Sequence, residues 1–345
     1  MSALWGMVLK TTRAALKEGM ANTVEGEATT SVVHDVPLSG ASAPYAMDRD
    51  TVRTRRRQGI PADATAVFPA DAVPASHSGS GLEQSAYRLA TVQYLNVSGE
   101  RLNLAEPGGR IGNTDHERFG NMVRELSAGN RETALGTSAI AKNALADLCL
   151  EDRPSAERAE LLSTRSVFDE SGTRELEKFG PLGRIDLARS LKSGDTTLGT
   201  AGSSALARSW TSKRYDEGRP ADAIGTVSQL TSAREGAQVR KHPAVMADAQ
   251  LTTVGYDWAK GLPTKVVQDP TGLAVTTVTE YDAQGRVTRQ GSPGTSGTDA
   301  GTQASTYWSP TGTGACAGRP EWADLLCTSG PGRRHHRRPN QPGPA

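Results

Sequence analysis

Cysteine is almost missing from this chain of 345 residues: three occur, and no Cys-x-x-Cys pair is among them. That is too few for a disulfide scaffold, and it offers no paired thiolates for zinc or dithiol redox chemistry. Large apolar side chains are scarce too. Leu, Ile, Val and Phe make up only 58 residues and aromatics 5%, so one large globule with a thick core is excluded. No apolar run approaches the roughly 18 residues that a membrane helix needs. Charge of one sign is not in excess either. With 39 Lys and Arg against 38 Asp and Glu the net charge is +1, which removes both the electrostatic footprint of a nucleic-acid binder and the self-repulsion that would keep a core-poor chain unfolded.

What the chain has instead is turn chemistry. Its 37 Gly and 19 Pro, set among abundant Thr, Val and Ala, suit short strands joined by tight turns and stacked unit on unit. The fold class expected is therefore mainly β: antiparallel hairpins and meanders with a small helical insertion and disordered termini. No signal peptide is visible in Met1 to Lys10, so the chain is expected to be cytoplasmic as it stands, or an internal or truncated piece of a longer protein.

Four regions are expected. Residues 1–90 read as loop-rich and poorly ordered, with Pro37, Pro44, Pro61, Pro69 and Pro74 spaced through Ala, Ser and Asp. The cluster Arg53, Arg55, Arg56 and Arg57 lacks interleaved aromatics and reads as a solvated patch. Residues 91–250 hold degenerate repeats, interrupted at about 138–165 by two short helices, with Ile140, Ala144 and Leu148 at steps of four and Pro154 near a helix start. Cys149 in this stretch reads as a buried small apolar residue. Residues 251–330 form a meander, and 331–345, with Arg333 to Arg338, a disordered basic tail.

The meander is the most legible part. Asp269-Pro270-Thr271-Gly272 and Asp282-Ala283-Gln284-Gly285 separate three strand-like runs. Asp at the first turn position accepts a hydrogen bond from the backbone two residues on, Pro270 presets its dihedral, and Gly272 and Gly285 tolerate positive φ. Between the turns Val275, Thr277, Thr279 and Tyr281 fall on one face and Thr276, Val278 and Glu280 on the other, the period of a half-buried strand. The unit Tyr281-Asp282-x-x-Gly285-Arg-Val-Thr recurs in looser form at Phe168-Asp169 to Gly172, His116-Glu117 to Gly120 and Leu95-Asn96 to Gly99, and Tyr215-Asp216 and Tyr256-Asp257 add two further pairs. In the Tyr-Asp units the tyrosine ring before the acid covers the neighbouring strand and keeps its hydroxyl in water.

These segments, together with Cys316-Ala-Gly-Arg-Pro-Glu-Trp-Ala-Asp-Leu-Leu-Cys327, resemble the bacterial RHS or YD-repeat family, most clearly over 251–330. The resemblance implies a spiral of antiparallel strands forming a hollow shell around a toxin or other cargo. It implies a secreted or cell-surface setting, partners in flanking repeats of a longer parent chain or in a cargo domain, and no catalytic role or cofactor for this stretch. Cys316 and Cys327 either pair, as an extracellular setting would allow, or remain two thiols.

Catalytic patterns fail. Nucleophile elbow, phosphate loop and dinucleotide fingerprint are all missing. His116-Glu117 begins like a zinc-protease helix, but Gly120 stands where the second ligand belongs. Three readings remain: a structural shell segment; a carbohydrate-binding or adhesion module using Trp258, Trp308, Trp322 and Tyr307 as sugar platforms; and a truncated product with no independent role.

Overall fold

The computed structural model describes residues 7–19, 23–49, 59–224, 227–294 and 300–307, and the backbone of 326–328. The chain is mainly antiparallel β. In chain order the strands are β1 (Lys10–Leu16), β2 (Val24–Val33), β3 (Asp63–Phe68), β4 (Thr91–Leu95), β5 (Arg101–Glu106), β6 (Arg110–His116) and β7 (Met122–Leu126). Three helices follow, α1 (Ala128–Leu135), α2 (Ala139–Asp147) and α3 (Ser155–Leu161). After them come β8 (Thr164–Phe168), β9 (Glu175–Phe179), β10 (Gly183–Asp186), β11 (Leu191–Ser193), β12 (Thr196–Gly199), β13 (Ser204–Tyr215), β14 (Leu230–Val239) and β15 (Met246–Asp257). The last strands are β16 (Leu262–Gln268), β17 (Val275–Tyr281), β18 (Val287–Gly291), β19 (Thr302–Tyr307) and β20 (Leu326–Thr328). From β1 to β9, and again from β15 to β20, each strand pairs antiparallel with the next. Two compact units result, one of residues 1–211 and 236–248, the other of 212–235 and 249–345.

The first unit holds the core, and much of it lies where loops were expected. Residues 1–90 contribute β1, β2 and β3 and most of the largest buried cluster, including Val33, Met47, Ala64, Ala66, Phe68 and Tyr87. The cause is alternation written in small residues. Ala64, Ala66 and Phe68 point inward from β3 and Val92 and Tyr94 from β4, a period of two that scattered prolines conceal. The segments before and after β3 close over that face, and Phe68 meets the Tyr87 ring at 5.9 Å between centroids. The Arg53 to Arg57 cluster and the 331–345 tail lie outside the described residues.

The helical insertion is longer than the two helices expected, because α1 precedes the predicted pair. Its start is marked by Ser127, whose hydroxyl accepts from the Asn130 amide, as the Ser138 hydroxyl accepts from Ala141 ahead of α2. Pro154 directly precedes α3 at φ −57. Leu126, Ala134, Leu145, Leu148, Leu150, Leu162 and Leu182 form the second buried cluster, so the helices seat against the sheet largely through leucine. Cys149 is exposed rather than buried. It adopts φ 53 at the end of α2, and this turns its side chain out while Leu148 and Leu150 turn in.

The second unit is built differently. Among its described residues only Thr231 and Gly291 are buried. Val275, Thr277, Thr279 and Tyr281 of β17 are half-buried, while Val278 and Glu280 stand exposed. The alternation holds from Thr277 to Tyr281 but not at Thr276, which is half-buried as well, and no apolar side chain among the described residues here is fully covered.

Candidate functional site

The feature the chain repeats is a corner. At Asn96, Glu117, Asp169 and Asp282 a side-chain oxygen accepts backbone amides that lie ahead in the loop. Asn96 Oδ1 takes Ser98 and Glu100, both at 2.9 Å. Glu117 takes Phe119 and Asn121 at 3.0 and 3.1 Å, Asp169 takes Thr173 and Arg174 at 3.0 and 3.2 Å, and Asp282 takes Gln284 and Arg286, both at 2.9 Å. In each, the amide of the glycine three residues on donates to the carbonyl of the corner residue, and that glycine, Gly99, Gly120, Gly172 or Gly285, has φ between 69 and 86. This is the three-residue hairpin loop, a type I turn closed by a left-handed glycine. Pairing slips by one residue just before each corner, at Leu95, His116, Phe168 and Tyr281. The bulge adds local twist to the strand pair.

The other acids make variants of this corner. Asp257 accepts from Ala259 and Lys260 at 3.1 and 3.2 Å, with the left-handed glycine one residue later at Gly261. Asp216 closes a longer loop by accepting from Ser228 and Gln229, both at 3.0 Å. Asp269 departs from expectation. It accepts from Leu273, four residues on, and it is Asp269 and Ala274, not Gly272, that take positive φ. Gly272 is required for another reason: a Cβ there would collide with the Asp269 carboxylate. Pro270 lies between them in the same turn.

The tyrosines also differ from expectation, because their hydroxyls are not left in water. Tyr256 donates to Leu230 O, Tyr281 to Pro263 O and Tyr307 to Val287 O, each at 2.9 Å. Every donor lies at or one residue from the end of its strand and every acceptor at or one residue from the start of the preceding one, so each ring clasps the previous strand. A further link joins two of these devices. Asp282 Oδ2 holds Arg286 Nε at 2.7 Å, and the Arg286 guanidinium lies 4.4 Å over the Tyr307 ring. The arginine after the glycine was visible in the motif, but its role depends on a ring twenty-one residues away.

The corners carry charge. Partial burial pulls the Asp282 carboxyl up, but the Arg286 amide and side chain and the Gln284 amide outweigh it and hold the group below its ordinary value. Asp257, Asp169 and Glu117 show the same balance. In each, desolvation is the largest single influence and raises the group, but the loop hydrogen bonds and the adjoining Lys260, Arg174 or Arg118 together overcome it.

Adjacent corners in the first unit touch. Arg118 donates to Glu170 O at 2.8 Å and Asn121 to Gly172 O at 2.6 Å. The Phe119 ring lies where a Cβ on Gly172 would be, and Arg118 covers it at 4.6 Å. An open pocket of about 510 Å³ lies around these corners, with Phe119 and Phe168 among its lining residues. The rings read as sugar platforms are occupied too. Trp258 packs on Tyr256 at 5.3 Å and Tyr307 lies under Arg286, while Trp308, Trp322 and Cys316 lie outside the described residues. Cys327, in β20, pairs through its backbone with Thr306 of β19. Among the described residues no three His, Cys, Asp or Glu side chains converge as a metal site, and no helix is long and apolar enough to cross a membrane.

No protein-family model and no curated protein matches the sequence. Among solved structures, the crystal structure of TcdB2-TccC3-TEV contains a chain similar at 12% identity and a TM-score of 0.17, with 84% of this chain and 15% of that chain covered. The crystal structure of TcdB2-TccC3-Cdc42 gives 11% identity, a TM-score of 0.17 and the same coverages of 84% and 15%. This chain thus spans about 15% of the length of either.

Proposed function

We propose that this chain is a non-catalytic wall segment of an RHS/YD-repeat β-shell, carried in a secreted or cell-surface parent and meeting flanking repeats or an enclosed toxin or other cargo. The observation that carries this reading is the recurrence of one corner, made by an amide at Asn96 and by acids at Glu117, Asp169 and Asp282, each joining two strands that pair antiparallel with one another. Such a wall lengthens by adding hairpins, and each hairpin is held by the one before it. The near-absence of buried apolar residues in the second unit supports the same reading, since a wall segment is completed by what stacks on it.

The test is an insertion. A second copy of residues 275–294, one hairpin of two strands, placed after residue 294 keeps strand direction alternating. A modular wall accepts it: the thermal midpoint is kept and the β signal in circular dichroism grows. A cooperative loss of folding on insertion would show a closed module and overturn the proposal.

A further inference from the structure

The hairpin β1–β2 stands out from the sheet as an arm. All register partners of β1 are on β2, and β2 meets β3 only over Ser31 to Val33. Among the described residues, the outer edge of Lys10–Leu16 and the outer edge of β2 from Val24 to Thr30 are therefore both unpaired. The arm has almost no cover: Leu16 is 60% and Val24 58% exposed at its far end. A two-stranded ribbon bare on both sides is marginal alone, and an open edge is a template for another strand.

The two edges differ in charge. Lys10 and Arg13 are the charged residues of β1, and Glu25 and Glu27 those of β2. None of the four forms an ion pair among the described residues. Two copies joined by the same edge would set like charges side by side. A basic edge placed against the acidic edge of the next copy matches charge and keeps the antiparallel direction already present between β1 and β2. In that arrangement Lys10 of one copy lies opposite Glu27 of the next, with Thr12 opposite Glu25, on one face of a continuous ribbon.

We infer that the β1–β2 arm is a self-association surface, through which the β1 edge of one copy of this chain adds to the β2 edge of another. The contact is head-to-tail, so it propagates instead of closing at a dimer. It is independent of the shell reading, since it concerns only the charges and open edges of one hairpin.

Sedimentation velocity on the full chain, with circular dichroism to confirm unchanged folding, provides the test. The wild type is expected to gain mass with concentration at low salt and to lose it at high salt. Lys10→Glu/Arg13→Glu makes both edges acidic, and Glu25→Lys/Glu27→Lys makes both basic, so each variant alone remains monomeric. Mixed in equal amounts, the two variants associate again, because every acidic edge now finds a basic one. A wild type that is monomeric throughout, a reversed variant that associates alone, or a mixture that stays monomeric would each overturn the inference.

Discussion

The Tyr281 hydroxyl donates to the Pro263 carbonyl at 2.9 Å, whereas the Tyr94 hydroxyl is buried without a partner among the described residues. Tyr281→Phe is expected to destabilise the chain by about 0.5–1.5 kcal/mol, the net value of one hydrogen bond. Tyr94→Phe removes an unsatisfied polar atom from a site of 0% exposure and is expected to leave stability equal or about 1 kcal/mol higher. Paired denaturant titrations check the sign of each. The corner acids make a second prediction at this scale. Asp169, Asp257, Asp282 and Glu117 are held below the ordinary carboxylate value, so they bind fewer protons folded than unfolded. Their contribution is complete above the unfolded value of about 4 and is lost as pH falls below it through the folded values. Acid titration followed by circular dichroism should show this loss. Asp→Asn at 169, 257 and 282 should flatten it, since Asn96 shows that an amide oxygen makes the same corner.

At the scale of the element, the hairpin loop and its packing can be separated with two glycines. Gly99 and Gly172 occupy the same corner position, with φ 80 and 69. A Cβ at Gly99 meets nothing within 4 Å, whereas at Gly172 it meets the Phe119 ring. Gly99→Ala should cost only the left-handed conformation, about 1–2 kcal/mol. Gly172→Ala should cost measurably more, and in Phe119→Ala the excess should vanish; chemical denaturation of the four proteins closes that cycle. The corners at Asp169 and Asp282 were legible in the sequence because their hydrogen bonds run between residues at most five apart. The clasp from Tyr281 to Pro263 was not, since its acceptor lies eighteen residues away and depends on strand register. Asp269 misled for a local reason: its carboxylate lies over Gly272, while positive φ falls on Asp269 and Ala274.

Over the whole molecule, burial is uneven. Among the described residues, the three buried apolar clusters all lie in the first unit, while the second has only Thr231 and Gly291 covered. Amide exchange should therefore divide the chain. Strands β3 to β6 should exchange only through large-scale opening, and β16 to β18, hydrogen-bonded but thinly covered, should open locally and exchange faster. Equal protection in both would contradict the burial pattern.

The amino-acid sequence alone determined that the chain is antiparallel β and where several of its corners fall. Asp, Asn or Glu followed by a left-handed glycine makes its bonds within a single loop and needs no distant partner. Only the tertiary structure decided that residues 1–90 supply most of the largest buried cluster, that the tyrosine hydroxyls clasp the preceding strand, that Cys149 faces outward and that the arm carries opposite charges on its two edges. Each of these depends on which strand lies beside which, a matter of contacts between residues far apart in the chain, and alternation in alanine and valine is too quiet a signal to announce it.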